Sequence, residues 1–316
     1  VKIFRQDELT PELYKGTVCT IGNFDGMHLG HQKIFERLHD AKDKLGLAAI
    51  ACTFEPHPVR LLNPQKGLKL IYNYDQRVQL IARHKPEALV ILDFTCELAK
   101  TPAEDFVKRV LVDQLHLKMI VVGYDFNFGK GGDGNAQQLA RLGEKYGFGV
   151  EQVSAVERDG RIVSSSRIRR LIGAGEMEMV RWMLGRPFYL KGHVVKGKQR
   201  GGKLLGIPTA NLSTQQELIP AKGVYAAIVK TPDGIHKAAV NVGCNPTFDN
   251  DGISIEAHLL QFSQDIYGSE MEIYFFRRIR DEMRFESVDR LKIQMETDIE
   301  KIRGFLQEID PELAIL

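Results

Sequence analysis

Hydrophobic positions in the first half of the chain fall into two textures. Short, near-continuous apolar runs at residues 18–21, 48–54, 88–92, 119–122 and 148–153 read as buried strands. Between them apolar residues recur at helical spacing, as in the stripe Ile34, Leu38, Ala41 and Leu45. Thr101-Pro102-Ala103-Glu104 reads as a capping box opening a further helix. Strands apolar on both faces and separated by helices predict a parallel sheet covered on both sides, with ligands outside its carboxyl edge. After Leu184-Gly185-Arg186-Pro187 the texture changes. β-rich segments at 189–196, 224–230, 237–242, 253–260 and 271–276 are separated by turn signals such as Thr231-Pro232-Asp233-Gly234. These predict a small antiparallel barrel. A last helical stripe, Val288, Leu291, Met295, Ile299, Ile302 and Leu306, is expected to cover it. The expected domains are 1–184 and 185–316.

Composition narrows the classes of function. A length of 316 residues suits two domains, and a net charge of +2 without a basic block argues against a nucleic-acid partner. The opening VKIFRQDELT has no hydrophobic signal region, and no apolar run approaches membrane-spanning length, so no membrane partner is expected. Four scattered cysteines without a CxxC pair argue against a zinc site or a disulfide framework and for a reducing cytoplasm.

The densest chemistry follows the first apolar run, in Gly22-Asn23-Phe24-Asp25-Gly26-Met27-His28-Leu29-Gly30-His31. A strand that turns through glycine into a helix start presents free N–H groups and a positive helix end to an anion. Two imidazoles three residues apart can hold charge developing on a reacting phosphorus. The string resembles the HxGH signature of nucleotidylyltransferases, and in its longer form that of the bacterial bifunctional riboflavin kinase/FMN adenylyltransferases, the FAD synthetase family. The resemblance implies a Rossmann-like α/β domain with a parallel sheet, followed by a riboflavin-kinase β-barrel closed by a C-terminal helix. It implies ATP, riboflavin, FMN and FAD as substrates and products, with Mg²⁺ as cofactor.

Residue roles in the first domain follow from the same likeness. His28 and His31 are implied as catalytic, with Gly22, Asn23, Phe24, Asp25 and Gly30 around the ATP phosphates. Val163-Ser164-Ser165-Ser166-Arg167-Ile168-Arg169 is similar to the superfamily's ISSTxIR motif, with serine at 166 where threonine is commoner. It assigns Ser165, Ser166 and Arg169 to the departing pyrophosphate, while Arg167 and Arg170 are expected to face solvent. Phe54, in Thr53-Phe54-Glu55-Pro56-His57-Pro58, is either a platform for the flavin ring or core filler at a strand end. Asp125, in a GxDFxFG-like segment, is implied as a nucleotide or flavin contact, and His57 receives no catalytic role. An already ionised FMN phosphate needs no protein nucleophile to attack the α-phosphorus.

In the second domain Gly206-Ile207-Pro208-Thr209-Ala210-Asn211 matches the PTAN signature of riboflavin kinases. Thr209 and Asn211 inherit roles toward Mg²⁺ and the ATP phosphates, and Gly201, Gly206, Pro208 and Asn241 toward ATP. The stretch from Gly197 to Leu204 is not a P-loop, because Leu204 stands where Ser or Thr must bind Mg²⁺ and no helix can follow. Pattern alone reads Glu256 as part of a solvated strand face. The resemblance makes it the general base, with His258 a spectator on the same face. Asn241-Val242-Gly243 and Pro246-Thr247-Phe248 match a further family motif and also read as a tight turn. Two rival readings are a flavin-binding regulator without turnover and an adenylyltransferase for another small phosphate, such as nicotinate mononucleotide or phosphopantetheine. Intact His28, His31, Thr209, Asn211 and Glu256 argue against the first, and the attached kinase signature against the second.

Overall fold

Each of the five apolar runs in the first half of the chain becomes a strand of a single all-parallel sheet. The structure, a computed structural model, describes residues 1–9, 14–196, 207–244 and 252–315. Strands β1 (Lys2–Arg5), β2 (Thr17–Ile21), β3 (Ala48–Glu55), β4 (Ala88–Asp93), β5 (Leu117–Gly123) and β8 (Gly149–Val153) lie in the order β1-β4-β3-β2-β5-β8. β1 has no counterpart in the apolar pattern, because a mostly exposed edge strand of four residues carries no apolar run. The short hairpins β6 (Asn127–Phe128) with β7 (Gly134–Asn135), and β9 (Glu157–Arg158) with β10 (Arg161–Ile162), stand outside the sheet. From β2 the chain builds outward through β3 and β4, then returns to add β5 and β8 on the other side. The order therefore reverses between β2 and β5, and the loops leaving those two strands flank the switch-point crevice.

Helix α1 (Leu29–Leu45) packs on β2, β3 and β5, burying Ile34, Phe35, Leu38 and Ala41. Leu45, expected on that stripe, is exposed because the helix stops there at a left-handed Gly46. Three short elements follow: α2 (Pro58–Leu62), α3 (Tyr74–Arg83) and α4 (Cys96–Lys100). The expected capping box is not formed. Pro102 is the N-cap of α5 (Ala103–Phe106) without a side-chain bond, and the Thr101 hydroxyl donates to the Glu97 carbonyl at the end of α4. α5 runs on as a π-helical turn, Val107–Gln114. Its Phe106, Val110 and Leu111, with Leu139 and Leu142 of α6 (Ala136–Tyr146), meet Cys19, Ile21, Ile50, Cys52, Val90, Leu92, Ile120 and Val122 across the second sheet face.

Contacts divide the chain into units Val1–Ser165 and Ser166–Leu316. Helix α7 (Ser165–Ala174) begins at the junction, and α8 (Met177–Leu184) packs on the second unit's strands. Those strands close into an antiparallel barrel of order β11-β12-β15-β14-β13-β16. They are β11 (Phe188–Val195), β12 (Ala210–Ser213), β13 (Gly223–Thr231), β14 (Gly234–Cys244), β15 (Ile253–Leu259) and β16 (Glu270–Arg280). The strand beyond the five expected is β12, too short for a periodic signal and beginning inside the PTAN string. Val224 and Ala226 pack on Ile302 and Leu306 of α9 (Val288–Leu306), so that face of β13 is the barrel's outside. The alternate residues, with Tyr225 edge-on to Phe275 at 5.3 Å between ring centroids, fill the inside.

Candidate active sites

The first site is built by the loop between β2 and α1. Gly22 continues the strand, its N–H bonding the Cys52 carbonyl at 3.1 Å. The chain then passes through three left-handed residues, Phe24 (φ 48°), Gly26 (φ 89°) and Met27 (φ 41°). For two buried, bulky side chains this is a strained backbone, held by packing on all sides. Phe24 lies edge-on to both His31 and Phe35, and a Cβ at Gly22 would meet the Phe24 ring at 3.1 Å. Asp25 is buried: its carboxylate accepts the Ile71 N–H at 3.0 Å and its carbonyl accepts the Ser165 hydroxyl at 2.7 Å.

His28 is the N-cap of α1, with Nδ1 accepting the His31 N–H at 3.3 Å. A neutral His28 so bonded carries its ring proton on Nε2. The His28 and His31 rings stack with centroids 3.6 Å apart and planes 17° from parallel. A Cβ at Gly30 would meet His28 Cε1 at 3.1 Å and Nδ1 at 3.2 Å, which is the steric reason for glycine between the histidines. The site is therefore a helix N-terminus roofed by two stacked imidazoles.

The segments that follow β3 and β5 leave from the same carboxyl edge of the sheet. Phe54 is half-buried, edge-on to Phe94 at 5.5 Å and packed on the core, so it does fill the strand end. His57 caps α2 through Nδ1, which accepts the Val59 N–H. Asp125 is exposed after β5, its carbonyl accepting the Asn127 amide at 2.8 Å, and Phe126 stacks on Phe128 at 5.4 Å. On α7, Ser166 and Arg170 are exposed and Arg169 is half-buried. Arg167, expected in solvent, is also half-buried.

The second site lies on the outside of the barrel, beneath the first half of α9. Strand register sets Asn211 of β12 opposite Glu256 of β15, and Glu256 opposite Asn241 of β14, so three polar side chains share one face in one row. Beside them a cavity of about 650 Å³ is lined by Thr209, Asn241, Glu256, His258, Val224, Arg280, Phe285 and the α9 residues Val288, Leu291, Met295 and Ile299. The α9 stripe thus divides: Ile302 and Leu306 enter the core, whereas the residues ahead of them wall the cavity and leave Val288 53% exposed. Burial pushes the Glu256 carboxyl above its usual range, and a hydrogen bond with the Thr209 side chain offsets part of that rise. His258, expected as a spectator, bonds through Nδ1 to the Pro208 carbonyl at 2.8 Å and so ties the PTAN segment to β15.

Side chains outside the recognised motifs complete both sites. Arg77, 1% exposed, reaches the Asn23 and Phe54 carbonyls and the Glu55 carboxylate. Arg280 Nε donates to the buried Asp298 at 2.8 Å, and Gln294 donates to the same carboxylate at 2.9 Å, fixing α9 to β16. Both charged residues carry a legible signal: Arg77 falls on a stripe with Leu80 and Ile81, and Asp298 on one with Leu291, Met295 and Ile302. A Cβ at Gly243 would meet Glu282 Oε1 at 2.9 Å and Asn241 Nδ2 at 3.0 Å, which accounts for glycine after the asparagine. Gly201, Gly206, Pro246, Thr247 and Phe248 lie outside the described residues.

A parallel α/β unit with a glycine-rich loop and a helix N-terminus at its switch point, followed by a closed barrel with a carboxylate beside an apolar cavity, suits a two-centred nucleotide-dependent transferase. The FAD synthetase family model matches residues 10–167 and the riboflavin kinase family model residues 184–306. The bifunctional riboflavin kinase/FMN adenylyltransferase of Haemophilus influenzae is 33% identical over 292 residues, covering 92% of this chain and 94% of that one. That of Listeria monocytogenes is 34% identical over 299 residues, 93% of each. A crystal structure of a macrolide-efflux protein from Streptococcus pneumoniae is 33% identical with a TM-score of 0.87, covering 96% of this chain and 99% of that one. Among the described residues of this chain no helix is long and apolar enough to cross a membrane. The chain belongs to the bifunctional riboflavin kinase/FMN adenylyltransferase family.

Proposed function

We propose that the chain makes FAD in two ATP-dependent steps, with residues 185–316 phosphorylating riboflavin and residues 1–184 adenylylating the FMN formed. The observation that carries the first step is Glu256: a half-buried carboxylate with a raised pKa, beside a cavity whose size suits a flavin. Glu256 takes the proton of the ribityl terminal hydroxyl, whose oxygen forms a bond to the γ-phosphorus of ATP as the bond to the β,γ-bridging oxygen breaks, releasing ADP. The Asn211 amide oxygen stands opposite Glu256 and the Thr209 hydroxyl is hydrogen-bonded to it, two hard oxygen donors that fit Mg²⁺ sharing its coordination with water and phosphate. Bound there, Mg²⁺ would supply neutralisation of the β- and γ-phosphate charge. Thr209 also keeps Glu256 oriented, and the apolar wall from α9 excludes water from the flavin side.

In the second step a phosphate oxygen of FMN bonds to the α-phosphorus of ATP while the bond to pyrophosphate breaks. His28, its Nδ1 engaged by the helix, offers Nε2–H to the phosphate oxygens, and His31 acts beside it. The positive N-terminal end of α1 faces the triphosphate, and Gly30 leaves room for the His28 ring. Asp25 acts from below as a positioning group, because its carboxylate is engaged by the Ile71 N–H. Ser165 and Arg169, four apart on one face of α7, are the groups proposed for the departing pyrophosphate, with Ser166 at the exposed first turn. Phe54 and Asp125 are proposed to border the flavin. Four free cysteines support a reducing, cytoplasmic location for this work.

Product analysis tests the reading. Riboflavin with ATP releases ADP as FMN forms, and FMN with ATP releases pyrophosphate as FAD forms. Binding of flavin without release of either product would leave the regulator reading in its place.

A further inference from the structure

Helix α3 carries a cation into the interior of the first unit. Arg77 is the largest of the fully buried side chains among the described residues, on a stripe with Leu80 and Ile81. Its guanidinium sits where the segments leaving β2 and β3 meet. Nη1 points to the Asn23 carbonyl at 3.5 Å, and Nη2 donates to the Phe54 carbonyl at 3.0 Å and to the Glu55 carboxylate. Thr53 adds a longer link, its hydroxyl 3.4 Å from the same Asn23 carbonyl. Asn23 belongs to the loop proposed to hold ATP, and Phe54 to the strand end proposed to border the flavin. One buried charge therefore ties the two substrate-bearing segments together.

Stability alone does not account for a charge here. Desolvating a guanidinium is costly, and well-packed apolar side chains of similar volume commonly replace buried ion pairs without loss. A cation at this position has a geometric use instead. Its donors fan out toward acceptors on two different segments, which an apolar side chain would leave free to slide.

We propose that Arg77 is a positioning residue for adenylyl transfer, fixing the spacing between the nucleotide loop and the flavin-side strand end. The proposal rests on the reading of the first unit as the adenylyl-transfer site. Loss of the tie shifts one reactant against the other while each segment keeps contacts to its own ligand. A misplacement of about 1 Å costs on the order of 100-fold in rate.

The test uses the intact chain, whose riboflavin kinase activity serves as an internal control. Arg77→Met keeps the stem and removes the charge. Its expected kcat for FAD formation is about 30- to 100-fold below wild type, with ATP binding measured without flavin, and FMN formation from riboflavin, both unchanged. Arg77→Lys serves also where Arg77→Met does not fold: an ammonium meeting fewer acceptors gives an intermediate kcat, roughly 3- to 10-fold below wild type, again with ATP binding intact. Wild-type kcat in both variants overturns the proposal, as does loss of ATP binding in step with kcat, which marks a merely structural role. His31→Ala separates the two levels of inference. If it is inactive in FAD formation while Arg77→Met is normal, only the positioning role fails; if it is active, the site reading itself fails.

Discussion

Gly30→Ala separates catalysis from stability in the first unit. Gly30 is the second residue of α1, where alanine is the better helix former by up to about 1 kcal/mol. The added Cβ would sit 3.1 Å from His28 Cε1 and 3.2 Å from Nδ1, so the ring must retreat by a few tenths of an ångström. Retreat lengthens the 3.3 Å bond from the His31 N–H to His28 Nδ1, an N-cap worth about 1 kcal/mol. The two effects nearly cancel, and the melting temperature should move by no more than a few degrees. The chemistry has no such offset, because His28 Nε2 leaves the line on which it meets developing phosphate charge. Misplacing one such donor corresponds to about a 10- to 100-fold loss of kcat, or about 1.4 to 2.7 kcal/mol of barrier. Chromatography of FAD formed from FMN and ATP, with riboflavin phosphorylation in the same sample as reference, gives the ratio directly. A variant within twofold of wild type in both reactions would refute the steric account of this glycine, as would a variant losing both together.

Other consequences follow from the second site. Glu256→Gln should lower riboflavin phosphorylation by about 10²- to 10⁴-fold while FAD formation from supplied FMN stays normal, read by product chromatography. The pH dependence has a definite sign: the ionised Glu256 is the active form and burial raises its pKa, so kinase kcat should fall on acidification at a pH above that of an ordinary glutamate. Thr209→Val removes the hydrogen bond that favours ionisation and should move the acidic limb of the normalised pH–rate profile higher still. A limb that stays put or moves down contradicts the assignment. Asp298→Ala strands Arg280 beneath α9 and should cost about 3 to 5 kcal/mol in the second unit, measured by denaturant unfolding, with a raised KM for riboflavin.

How much of the fold and of the two sites is legible in the sequence depends on whether a residue advertises itself by period or only by its neighbours. The strands from β2 to β5 are buried on both faces, and a continuous apolar run announces that directly. β1 and β12, four residues each, are recruited by pairing with β4 and with β11 and β15, which no local pattern records. The histidine pair is readable as standing at a helix start, but the stacking of its rings is not, because it depends on where α1 begins. Alternation makes Glu256 a solvated strand residue. It is half-buried because α9 arrives from about forty residues later in the chain and makes a second wall. Periodicity predicts that the whole α9 stripe covers the barrel, whereas the half before Ile302 lines the cavity. Arg77 and Asp298 stand out as charges on apolar stripes, a local pattern by which a sequence marks a buried charge.

Complementation in a single tube bears most directly on the existence of two centres in one chain. His31→Ala and Glu256→Gln chains are each incubated with riboflavin and ATP, and then mixed in equal amounts. Two independent centres require that His31→Ala stop at FMN, that Glu256→Gln leave riboflavin unconverted, and that the mixture make FAD from FMN released by one chain and captured by the other. A mixture that forms no FAD, or single variants that each lose both reactions, would contradict it.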